Sequence, residues 1–134
     1  MIVLDENIQH ERLIHAIATW YPGRVIAITD LRPETLIKDD GISMLLRRIA
    51  QPTFVTINVD DFWLKFKADQ RCCIVALGLT QAQANEIPDL LRRVFRRPEF
   101  HTKSIRMGKV IHIMRTYVEF YGADRQIHRF VWPD

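Results

Sequence analysis

The feature that most constrains this chain is the alternation of short apolar runs with segments of helical periodicity. MIVL at the start, RVIAIT at 24–29, TFVTIN at 53–58 and RCCIVALGL at 71–79 are each of strand length. Between the first two, NIQHERLIHAIATWYPG sets Leu13, Ile14, Ile17 and Trp20 on one helical face, with Asn7 as its candidate cap and YPG as its stop. Between the next two, DDGISMLLRRIA repeats Ile42, Leu45, Leu46 and Ile49 at helical spacing, with Asp39 or Asp40 as cap and QP as breaker. LRPETLIK reads as a polar connection with a turn of helix after Pro33, and FWLKFKADQ as a short helix or a loop.

The fourth run is unbroken in its apolar character, as a strand covered on both faces requires. After it, Thr80 and Gln83 have capping-box spacing and Pro88 fits a first helical turn. Ile87, Leu90, Leu91, Val94 and Phe95 then share a face, with Arg92, Arg93, Arg96 and Arg97 largely opposite. KVIHIMRTYVEFYG and RQIHRFVW read as two strands joined at GADR. This order predicts an α/β fold: a three-layer α-β-α sandwich with a mostly parallel central sheet and a C-terminal antiparallel hairpin. With 134 residues and no linker or repeat, residues 1–134 form one expected domain.

No apolar run is long enough to cross a bilayer, and MIVLDENIQ lacks the positive start of a signal peptide. Cys72 and Cys73 are adjacent and point to opposite faces of a strand, so they are expected as free thiols of a reducing, cytoplasmic protein.

Acidic and amide side chains collect where the predicted strands end. Asp5 follows the first strand, Asp30 the second, and Asn58, Asp60 and Asp61 the third. Asp39 and Asp40 open the helix that returns to the third strand, so they begin at the same edge. Ligands of open α/β sheets bind at that edge. Carboxylates brought together there repel one another unless a cation sits among them. Mg²⁺ or Mn²⁺ suits such oxygen donors and can promote attack of water on a phosphodiester. Asp and Asn at strand exits and helix starts also serve as simple turn and cap residues, and spacing alone leaves that alternative open.

IVLDENI, DDGI and FVTINVDDFW, in this order over residues 2–63, resemble the PIN-like nucleases, closest to a compact bacterial branch with an N-terminal LDEN signature. The resemblance implies a small α/β domain that holds Mg²⁺ or Mn²⁺ in an acidic cluster and cleaves single-stranded RNA. Position by position, it assigns Asp5 as the first acid, Asp39 or Asp40 as the acid of the later helix, and Asp60 as the second acid of the third block. Where the family has the first acid of that block, this chain has Asn58, and Asp61 is an additional acid before Phe62. Asparagine keeps a carbonyl donor but loses the charge. The metal set implied is therefore Asp5, Asp39, Asp60 and Asp61, with Asn58 and Asp40 beside the chemistry and Asp30 as a further acid that could compensate. Glu6 and Asn7 are assigned to orienting the loop and first helix. The resemblance further implies a toxin of a toxin–antitoxin pair, an antitoxin protein as partner, and a homodimer. The neutral Asn58 leaves a second reading open: a PIN-like module without catalysis that binds nucleic acid or a protein.

Charge is uneven along the chain. Residues 1–70 hold 8 Lys/Arg against 10 Asp/Glu, and residues 71–134 hold 11 against 6. Arg92, Arg93, Arg96, Arg97, Lys103, Arg106 and Lys109 crowd one segment in which Glu99 is the sole acid. Such density is expected to meet phosphates and to guide RNA to the acidic rim, with Phe100 and His101 available for stacking if exposed; an acidic protein partner would suit it too. His112 and His128 are more simply core or edge residues than a cross-strand metal pair. Nucleotide-binding glycine motifs, HExxH and GxSxG are absent.

Overall fold

The computed structural model describes residues 1–31 and 39–132, and of Asp39 and Asp40 the backbone alone. Among these residues seven strands form one sheet: β1 (Ile2–Leu4), β2 (Val25–Ala27), β3 (Thr53–Thr56), β4 (Cys73–Leu77), β5 (Val110–Ile113), β6 (Tyr117–Tyr121) and β7 (His128–Val131). Their spatial order is β2-β1-β3-β4-β5-β6-β7. Pairings from β2 through β5 are parallel, and β5–β6 and β6–β7 are antiparallel. Five helices accompany them among the described residues: α1 (Glu11–Ala18), α2 (Asp39–Leu46), α3 (Val59–Phe62), α4 (Ile87–Phe95) and α5 (Lys103–Arg106).

The pleat sends alternate side chains to opposite faces. Ile2, Leu4, Val55, Val75 and Ile111 pack on one face with Leu13 and Ile17 of α1 and with Leu90, Leu91 and Val94 of α4. Val3, Phe54, Ile74 and Val110 pack on the other with Ile42, Leu45 and Leu46 of α2 and Phe62 of α3. Helices thus cover both faces of a mostly parallel sheet. β4 lies between β3 and β5 and is wholly buried, which accounts for its unbroken apolar sequence. β7 is an edge strand and exposes His128, Arg129 and Val131.

α4 follows its sequence signals closely. Pro88 stands in the first turn, Ile87, Leu90, Leu91, Val94 and Phe95 are buried, and Arg92 and Arg93 occupy the last turn. The Thr80 amide donates to Gln83 Oε1 at 3.0 Å, as the capping box requires.

Several boundaries differ from expectation: α2 ends at Leu46, before Ile49, and β2 gives way at Ile28 to a 3-10 turn. Asn7 does not cap the first helix. Asp5 Oδ1 accepts from the Glu6 amide, a 3-10 turn over Glu6–Ile8 follows, and α1 begins only at Glu11. The segment KVIHIMRTYVEFYG is two strands rather than one. The Met114 amide donates to the Tyr117 carbonyl at 2.9 Å, and Trp132 Nε1 donates to the Met114 carbonyl at 2.7 Å, fixing a tight turn between β5 and β6. The LRPETLIK connection lies outside the described residues apart from Leu31.

Candidate metal-binding rim and basic pocket

The order of the strands locates a crevice. From β1 the chain passes through α1 to β2 on one side, then through α2, on the opposite face, to β3 on the other side of β1. The path reverses between β1 and β3, and ligands of doubly wound sheets bind outside the carboxyl ends of strands at such a reversal. Asp5 ends β1 and Thr56 ends β3 at this point.

Asp5 is 9% exposed and firmly held. Its amide extends the ladder to the Val55 carbonyl at 3.0 Å. Oδ1 accepts from the Glu6 amide at 2.8 Å, and Oδ2 accepts from the fully buried Thr56 hydroxyl at 2.7 Å. Thr56 Oγ1 in turn accepts from the Asn58 amide at 2.9 Å. Burial pushes the Asp5 carboxyl above its ordinary value; the two hydrogen bonds oppose this, and the neighbouring Glu6 and Asp61 carboxylates add to it.

Asn58 Nδ2 donates to Asp61 Oδ2 at 2.6 Å, one helical turn onward. Asp60 and Asp61 are both exposed on this turn; Asp61 is the one that takes the Asn58 amide and whose charge reaches Asp5. Asp30 turns back on its own strand: Oδ2 accepts from the Ala27 amide at 3.1 Å, closing the 3-10 turn Ile28–Asp30. Asp39 and Asp40 stand in the first turn of α2, which starts at this edge because it returns the chain to the beginning of β3; their side chains lie outside the described residues. Among the described residues no three His, Cys, Asp or Glu side chains gather into a ready metal cage. Asp5, Asp61, the carbonyl of Asn58 and Asn7 Oδ1, which is buried and has no partner among the described residues, are all hard oxygen donors, the chemistry that Mg²⁺ or Mn²⁺ takes.

The basic segment lies at the opposite end of the strands. α1 and α4 run antiparallel to the sheet, so their C-termini meet at the edge where β1 and β5 begin. There Trp20, Tyr21, Arg92, Arg96, His101, Lys103 and Arg106 line a pocket of about 740 Å³. The amino nitrogen of Met1, just before β1, lies 3.1 Å from Tyr21 Oη. Asp5 is four residues further along β1, about 13 Å away at strand rise.

The seven cations do not act as one surface. Arg92, Arg96 and Lys103 are exposed. Arg97 pairs with Glu99 at 2.9 Å and lies over Phe130, and Arg93 lies over Trp132. Lys109 donates to the Glu99 carbonyl, and Arg106 is buried. Phe100 is fully buried, so it cannot stack on a base from solution; His101 is exposed. His112 and His128 do not pair across strands. His112 faces Glu119, with Nδ1 3.0 Å from its carboxylate, while His128 is opposite Phe120.

Sequence reading missed Thr56 as the partner of Asp5, and Trp20 and Tyr21 as pocket walls. The i to i+3 spacing of Asn58 and Asp61 was the available signal for their contact, once residues 59–62 are taken as helical. The sequence matches no protein-family profile and no curated protein, and the structure matches no solved structure.

Proposed function

We propose that this protein is a Mg²⁺- or Mn²⁺-dependent endoribonuclease of the PIN-like kind, acting on single-stranded RNA at the rim formed by the ends of β1 and β3. The observation that carries this reading is the buried Asp5 carboxylate, held by Thr56 at the sheet's topological reversal with Asp61 beside it. Asp5, Asp61 and one of Asp39 and Asp40 would hold the cation, with the Asn58 carbonyl as a neutral donor and Asp60 near the entrance. When bound, the cation supplies activation of water and neutralisation of charge on the phosphodiester.

The chain's own residues prepare that site. Thr56 and the Glu6 amide fix the orientation of the Asp5 carboxylate, leaving each oxygen a further lone pair. The raised affinity of Asp5 for a proton is also a demand for a cation, since a divalent ion satisfies a desolvated carboxylate better than solvent does. The basic pocket stands one strand length away, so RNA that reaches both ends must cross the sheet's flank rather than slide directly from one to the other.

One observation favours a second reading, a module that binds nucleic acid or protein without cleaving. Asn58 Nδ2 already occupies Asp61 Oδ2, so a protein donor stands where a cation would compete. An RNA cleavage assay separates the two. Single-stranded and structured substrates are incubated with Mn²⁺, Mg²⁺ or EDTA. Cutting of single strands that EDTA abolishes supports the nuclease; intact RNA with every metal, from protein shown to be folded, supports the binding module.

A further inference from the structure

The pocket at the start of β1 contains a buried cation with no acid to balance it among the described residues. Arg106 is 4% exposed. Its guanidinium lies 4.1 Å over the Phe95 ring, donates to the Phe100 carbonyl at 2.8 Å, and reaches the Tyr21 hydroxyl. These contacts fix its plane but carry no negative charge. The nearest groups able to become anionic are Tyr21 and Cys73, and burial raises both, Cys73 to about 12, so both are neutral at physiological pH. Arg106 Nε is buried and without a partner among the described residues. A second orphan donor, Trp20 Nε1, lies in the wall of the same pocket. Buried charge without a counterion, and buried donors without acceptors, are each costly.

The remaining walls repeat the message. Arg92, Arg96 and Lys103 surround the opening, His101 joins them, and no Asp or Glu is among the described lining residues. Guanidinium forks favour phosphate oxygens. The cavity, about 740 Å³, exceeds what an isolated phosphate fills and lies in the range of sites for ring-bearing small ligands. Trp20 and Tyr21 offer aromatic surface for such a ring.

We propose that this pocket binds a nucleoside phosphomonoester, its phosphate received by Arg106 and the cations around the mouth and its ring by the Trp20 side. The same chemistry is offered by a free nucleotide and by the phosphorylated end of an RNA strand. This site is separate from the acidic rim and needs no metal.

The test is a calorimetric titration in EDTA with adenosine monophosphate, adenosine, and one hexanucleotide with and without a 5′-phosphate. The monophosphate is expected to bind saturably, and adenosine about tenfold more weakly or worse. Replacing two exposed cations together, Arg96→Ala with Lys103→Ala, is expected to weaken the monophosphate about tenfold while leaving the thermal midpoint in place. Arg106→Lys keeps the charge but loses the fork, and is expected to weaken binding too; if it does not fold, the surface double variant carries the test. A phosphorylated hexanucleotide binding more tightly than the monophosphate identifies the strand end as the ligand, and the reverse identifies the free nucleotide. Equal binding of adenosine and its monophosphate, full binding by the double variant, or no saturable binding would overturn the proposal.

Discussion

Thr56 donates its hydroxyl to Asp5 Oδ2 at 2.7 Å, tying the ends of β1 and β3 together across 51 residues of chain. Thr56 Oγ1 itself accepts from the Asn58 amide. One buried hydroxyl therefore serves an acid and a loop. Thr56→Val keeps the shape and removes both bonds. It is expected to lower stability by about 1–3 kcal/mol, because a buried carboxylate and a backbone amide both lose a partner. Denaturant midpoints at unchanged m-value check this.

Asp5 should make stability depend on pH in an unusual direction. Its folded-state pKa is raised above the ordinary 3.8, chiefly by burial. The folded state thus holds the proton more tightly than the unfolded chain. The contribution of Asp5 is fully present below 3.8 and is lost as pH rises through its folded value. Other carboxylates titrate in the same range, so the informative quantity is the difference between wild type and Asp5→Asn. Wild type is expected to lose stability relative to the variant as pH rises through that window in EDTA. A bound divalent cation favours the charged form and should flatten the difference.

Asn58→Asp faces a carboxylate with the existing one of Asp61, whose Oδ2 now takes the Asn58 amide at 2.6 Å. Without metal the variant is expected to melt below wild type, since like charges meet. Added Mn²⁺ should raise its midpoint more than that of wild type, because a charged donor replaces a neutral one. Paired melts with Mn²⁺ and with EDTA read both effects.

The two thiols should be inert in the native protein. Cys72 and Cys73 are buried, and burial pushes their pKa values up to about 11 and about 12. Almost no thiolate exists at pH 8, so a chromogenic disulfide reagent is expected to label neither until the protein unfolds.

The sequence disclosed some of this arrangement and concealed the rest, for physical reasons. β4 and α4 were legible because their apolar patterns answer to a single requirement, burial on two faces or on one. The turn between β5 and β6 was hidden because Met114, Arg115 and Thr116 include no glycine, proline or asparagine; Trp132, far along the chain, helps hold it. Asp5 was legible as the residue ending the first strand, but its partner Thr56 was not, since a hydroxyl at a strand end has many uses. The density of positive charge from Arg92 to Lys109 was visible, yet its distribution depends on aromatic neighbours. The Phe95 ring and the Phe100 carbonyl draw Arg106 inward, and the rings of Phe130 and Trp132 take Arg97 and Arg93. Trp20 and Tyr21 join the remaining cations only because α1 and α4 end at the same edge of the sheet.

The most direct measurement is cleavage of one single-stranded RNA in Mn²⁺ by folded wild-type protein, Asp5→Asn and Asp61→Asn, with Asp60→Asn alongside. Wild type is expected to cut, EDTA to stop it, the Asp5 and Asp61 variants to fall by about a hundredfold or more, and Asp60→Asn to fall less. Undiminished cutting by Asp5→Asn, or no cutting by wild type with any metal, would contradict the assignment of this rim as a nuclease centre.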